Sequence, residues 1–172
     1  MNLDGITQIV LAFIRDHREL APLVVGLLTF GESLAFVSLL LPATTIIVAV
    51  GFMIAAAEIP FWQAWSGAVT GAFLGNWISY AIGRRYKTAA YGIWPLSRKP
   101  DLVARGERFF DRFGPWAVFL GRFFGPARAV VPLISGIFLM PAVLFQSANL
   151  ASALVWGFLL LAPGAGLAQR FF

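Results

Sequence analysis

The sequence contains no cysteine, a single histidine and only eight acidic residues in 172. Without thiols there are no disulfides, no thiolate metal ligands and no cysteine nucleophile. The lone histidine, His17, stands in the polar run DHRE and reads as a solvated side chain. No serine–histidine pair, histidine–carboxylate metal set or Walker loop accompanies it, and the glycine-containing stretch GRFFGP, residues 121–126, is not followed by GK[ST]. The chain is therefore expected not to be an enzyme and to hold no metal or other cofactor. Charge is scarce as well: 12% of residues are charged, about half the usual share of a soluble domain. Residues 59–83 and 129–169 carry none at all.

What remains is apolar. Hydrophobic residues make up 59% of the chain and mean hydropathy is +0.81, against about 45–50% apolar in soluble domains. This composition is that of an integral membrane protein, and the expected fold class is all-α. The net charge of +5 does not point to nucleic acid, because eight of the 13 basic residues fall in residues 84–112. Such clustering between apolar blocks is a positive-inside signal and assigns the segment to the cytoplasm.

Residues 1–19 lack the basic start and small-residue cleavage site of a signal peptide and are expected to be retained. Ile6, Ile9, Val10, Phe13 and Ile14 recur at helical spacing, which fits an amphipathic helix lying in the membrane interface or packed on the rest of the protein. The membrane domain then covers residues 20–172. Its first apolar block, about 20–57, is interrupted by Glu32 and Pro42; a spanning helix is expected over about 59–83, starting at Pro60. Residues 84–112 form the basic segment, whose part from Asp101 onward can coil into a short helix with Phe109 and Phe110 toward lipid and Arg105, Arg108 and Arg112 toward phosphates. A second broken block, about 115–140, precedes a second spanning helix over about 141–169.

The run RFFGPAR places Arg122 and Arg128 inside the second block. On one continuous helix six residues turn about 600°, so the two side chains would diverge by about 120°. One would face lipid, at a cost of at least about 2.5–3.5 kcal/mol at mid-membrane. Gly125-Pro126 between them ends the helix instead, and Pro132 interrupts the chain again. A re-entrant hairpin with both arginines near its tip is the expected result, and irregular backbone at that depth requires a polar cavity. Glu32 precedes Pro42 by the ten residues that separate Arg122 from Pro132. Pro42 and Thr44 can break the first block in the same way, so the expected architecture is an inverted repeat of two re-entrant helical hairpins, each followed by a spanning helix. Glu32 would then approach the arginines, either as a fixed charge partner or as a group that takes up and releases protons while guanidinium binds a lipid phosphate. Asn76 and Asn149 are read as hydrogen-bonding residues between helices, the ridge Gly67, Gly71, Gly75 as a close-packing face within the chain or in a homo-oligomer, and the six tryptophans mainly as interface anchors.

These residues carry a resemblance. FFDRFGPWAVFLGRFFGPARAVVPLISGIFLMP, with Phe145 and Asn149 after it, resembles the C-terminal signature of the DedA family, relatives of the VTT-domain (SNARE-associated) scramblases. GNWISYAIGRRY is similar to the family's G-D-x-x-x-Y-x-I-G-R stretch, and GESLAFVSLLLPAT to its first hairpin. The resemblance implies opposed re-entrant hairpins in the bacterial inner membrane. It implies transbilayer movement of phospholipid or undecaprenyl phosphate, often coupled to protons, with the essential acid and arginines falling on Glu32, Arg122 and Arg128. Two family acids are replaced, by Thr44 and Asn76, and the proline after the first arginine is one position late, at Pro126; these departures favour a passive scramblase or an altered substrate. A proton-coupled transporter of a small molecule or ion through the same cavity is the alternative.

Overall fold

The computed structural model describes residues 9, 12–14, 16–34, 48, 51, 60–86, 100–124, 127–163 and 166, with the side chains of 100–107, 127 and 129 left aside. All regular structure among them is helical. After a 3-10 turn at Arg18–Leu20 come α1 (Ala21–Ser33), α2 (Phe61–Arg85), α3 (Pro100–Gly121), α4 (Ala127–Ile137) and α5 (Ala142–Leu161). The chain divides into two compact units, one of Met1–Gly75 with Ala153–Phe172 and one of Asn76–Ser152. Both α2 and α5 therefore contribute residues to each.

In the first unit, α1 packs on the first part of α2 through residues with almost no side chain. The three glycines of the ridge, spaced four apart, lie on one face of α2. A Cβ on Gly67 would strike the Pro22 carbonyl, one on Gly71 the Gly26 carbonyl and Thr29, and one on Gly75 the Phe30 carbonyl at 2.7 Å. The ridge is thus used within the chain. Around it Val25, Ala64, Ala68, Ala72, Ala153 and Trp156 form the core, closed by Trp65 Nε1 donating to the Leu154 carbonyl at 3.2 Å. Ile14 of the N-terminal segment is fully buried in this core while Ile9 is exposed. His17 is exposed and stacks on Phe13 with ring centroids 4.6 Å apart.

The second unit is built on α3, α4 and the adjoining parts of α2 and α5. Residues of α3 stay helical to Phe113, turn at Gly114 with φ 37° and ψ −116°, and resume at Pro115. A residue before proline avoids the right-handed helical region, and only glycine takes this conformation without strain. Phe110 points inward, 5.7 Å from the Phe138 ring, while Phe109 and Phe113 are exposed. The exposed pair is Phe109 and Phe113 rather than the expected Phe109 and Phe110, because neighbours on a helix diverge by about 100° and residues four apart share a face. Tyr80 and Phe145 stack at 4.2 Å in the core with Val118, Met140 and Ala148. Glycine again allows close approach: Gly83 lies on the Leu133 carbonyl, and Gly136 on the Tyr80 carbonyl.

Two further boundaries differ from expectation. Pro132 does not break the chain; it lies buried inside α4, where it withholds one N–H from the Arg128 carbonyl but leaves the helix continuous. α5 ends at Leu161, eight residues before 169, because Pro163 disfavours helical backbone at Ala162. By length and composition α5 is the described helix that can cross a bilayer. The 25-residue α2 starts after Pro60 as expected, with Gln63 and Ala64 N–H groups donating to its carbonyl. Its Gln63, Ser66, Thr70, Asn76 and Ser79 make it less apolar. Tryptophans divide: Trp62, Trp77 and Trp116 are exposed, whereas Trp156 belongs to the core.

Candidate functional site

The break between the two arginines is present. α3 ends at Gly121, residues 122–124 form a turn, and α4 begins at Ala127. Arg122 thus follows a helix carboxyl end, where the peptide dipoles favour a cation. Although it is charged, Arg122 is only 5% exposed, and a guanidinium so far from water requires hydrogen-bond acceptors. Its Nε donates to Ser152 Oγ at 2.9 Å and its Nη2 to Asn149 Oδ1 at 2.7 Å. The two acceptors are three residues apart on α5, hence on one face. Asn149 Oδ1 also accepts from Asn76 Nδ2 at 3.0 Å, Asn149 Nδ2 donates to Gln146 Oε1 at 3.4 Å, and Ser152 Oγ donates to the Asn149 carbonyl at 3.0 Å.

One buried network thus joins α2, the end of α3 and α5. Asn76 and Asn149 do bond between helices as expected, and they do so around Arg122. Ser152 and Gln146 were not singled out from sequence; their signal was present as polar positions three residues either side of Asn149 in a mostly apolar helix. Arg128, second residue of α4, is half-buried, and its backbone N–H donates to the Phe124 carbonyl at 3.1 Å. Pro42, Thr44, Gly125 and Pro126 lie outside the described residues.

Glu32 belongs to the first unit, 2% exposed in the last turn of α1, with Thr29 and Ser33 buried beside it in sequence. That unit also carries an apolar groove of about 580 Å³ along α1 and α2, lined by Leu23, Gly26, Leu27, Gly67 and Leu74 among others. A third cluster lies in the second unit. Arg84 Nη1 donates to Tyr80 Oη at 2.9 Å, and Tyr80 Oη donates to the Met140 carbonyl at 2.6 Å. Among the described residues no three histidine or acidic side chains gather as a metal ion would need.

Residues 41–166 match the VTT domain. The chain belongs to the VTT-domain (DedA) family. As a VTT protein it is 32% identical to the inner membrane protein YabI of Escherichia coli over 88% of this chain and 60% of YabI. It is 34% identical to a membrane protein of Buchnera aphidicola over 89% of this chain and 60% of that one. A Mycobacterium tuberculosis membrane protein is 37% identical over 52% of this chain and 43% of its own length. This VTT chain spans about 60% of the length of the first two relatives. No solved structure matches.

Proposed function

We propose that this protein moves a phosphate-bearing lipid, phospholipid or undecaprenyl phosphate, between the leaflets of a bacterial inner membrane as a multi-pass protein. The observation that carries the reading is Arg122, a buried guanidinium hydrogen-bonded to Asn149 and Ser152 at a helix break, with Arg128 just beyond that break. Guanidinium matches phosphate geometry bidentately and keeps its charge when buried. The family's two opposed re-entrant hairpins would bring such a group to membrane depth along a polar path for the headgroup. The exposed lipid-facing aromatics and apolar helices would leave the acyl chains in the bilayer.

The test is movement of a fluorescent phospholipid, and separately of undecaprenyl phosphate, across proteoliposomes. Wild-type protein is expected to move one of them with no imposed pH gradient, and Arg128→Ala to lower the rate at least about tenfold, the weight of one charge-assisted hydrogen bond. Phosphate release from the lipid would replace this reading with a hydrolase. Buried Glu32 favours one second reading, a proton-coupled carrier of a small molecule or ion. It requires solute-driven pH changes that Glu32→Gln abolishes, with lipid movement absent.

A further inference from the structure

In the first unit α1 and α2 run parallel: a Cβ on Gly67 would meet Pro22, one on Gly71 would meet Gly26, and one on Gly75 would meet Phe30. Backbones touch along that line, and two cylinders in contact leave a furrow beside the contact. That furrow is the groove of about 580 Å³, with Gly26, Gly67 and Gly71 in its floor. α1 supplies Leu23, Leu27 and Phe30 to it, and α2 supplies Ser66, Thr70 and Leu74. Leu23 and Leu27 are exposed, as is Leu74. Leucines four apart share a face, and in a membrane protein an exposed apolar face meets lipid.

Its dimensions choose among apolar occupants. Pro22 and Phe30 are eight residues apart, as are Ser66 and Leu74, so the groove runs about 12 Å at the rise of a helix. Spread over that length, the volume gives a cross-section roughly half that of a helix with its side chains. A helix of a second copy is too wide, whereas an extended hydrocarbon chain fits. The polarity of the lining is graded as well. Its hydroxyls, Ser66 and Thr70, stand on the part of α2 that follows exposed Trp62, an interface anchor, and Ser66 Oγ already donates to the Gln63 carbonyl at 2.9 Å. The other end is Phe30 and Leu74. Hydroxyls near the surface and hydrocarbon deeper in match the ester region of a lipid and the tail below it.

We infer that this groove is a binding site for an acyl chain of a membrane phospholipid, with the tail end toward Phe30 and Leu74. The described residues that line it carry no charge, so the site reads the chain and not the headgroup. A resident chain supplies the dispersion contacts that the glycine floor lacks. The inference rests on the membrane setting of the family and stands whether or not the protein moves lipid.

The test is photolabelling of the full chain in proteoliposomes by a phosphatidylethanolamine that carries a diazirine at the end of one acyl chain, with labelled residues located by peptide mass spectrometry. Val155 and Leu159 of α5 are the control, because they are exposed and the Trp65 bond to the Leu154 carbonyl sets them level with the groove. Labelling of residues 23–30 and 66–74 is expected to exceed that of the control several-fold. Thr70→Phe places a ring in the groove and should bring labelling of 23–30 down to the control level with the melting temperature unchanged; Thr70→Ser, which keeps the space open, should retain it. Labelling of the wild-type chain spread evenly over the exposed apolar residues would overturn the site, as would undiminished labelling in Thr70→Phe. The chain has no cysteine, so Thr70→Cys reports a second copy directly: disulfide-linked dimers on oxidation in the membrane would replace the acyl chain with a helix of the partner. Their absence, with the groove labelled, is the expected result.

Discussion

The two units both pack helices through glycine, but they differ in how much hydrogen bonding is added to it. In the first, α1 and α2 approach until glycine meets carbonyl, and dispersion between backbones and small side chains supplies the attraction, as it must in a membrane where lipid is as apolar as leucine. In the second, glycine contacts at Gly83 and Gly136 are supplemented by hydrogen bonds that join the helices: Asn76 to Asn149, Arg122 to Asn149 and Ser152, Tyr80 and Arg84 to the turn before α5. Backbone contact tolerates no added atom, whereas a polar network tolerates a change of shape but not the loss of a partner. Close packing thus occurs in both units, and the unit that carries the arginines adds to it a network of directional bonds.

The sharpest way to break this contrast is a methyl-bearing side chain on the ridge. Gly71→Val drives carbon into the Gly26 carbonyl and Thr29, and should cost about 3 kcal/mol or more of stability, read as a fall in melting temperature in detergent. A small change there would mean that α1 is not packed as described. Tyr80→Phe tests the second unit without altering its volume. The Met140 carbonyl keeps only the longer bond from Arg84, at 3.4 Å, so the expected loss is about 1–3 kcal/mol. In a double-mutant cycle Arg84→Met should cost less when Tyr80 is already Phe. The smallest effect concerns Leu139, held at φ 55° where α4 ends with Met140 N–H donating to the Ser135 carbonyl and Leu139 N–H to that of Gly136. That position normally takes glycine. Leu139→Gly should raise stability by roughly 0.5–1 kcal/mol, the strain relieved less the added freedom of the unfolded chain.

Much of this was legible one residue at a time. Pro60 starting a helix and glycines four apart on α2 are local signals, because proline removes a donor and fixes a torsion wherever it stands, and spacing alone defines a helix face. Pro132 misled for the same reason in reverse: one missing hydrogen bond is tolerated when the rest of α4 is packed, and a sequence does not report packing. The Phe109 and Phe110 pair failed because the direction of a helix face depends on what the helix rests against.

Sequence by itself determined that this chain is an all-helical membrane protein of the VTT family and which ionisable residues stand in its apolar blocks. Only tertiary structure decided what those residues meet. Asn149 and Ser152 lie 27 and 30 residues from Arg122 in the chain, and Asn76 lies 73 from Asn149. No local propensity carries a preference over such separations. A buried guanidinium must find acceptors wherever the fold supplies them, and here Asn149 and Ser152 are two of them.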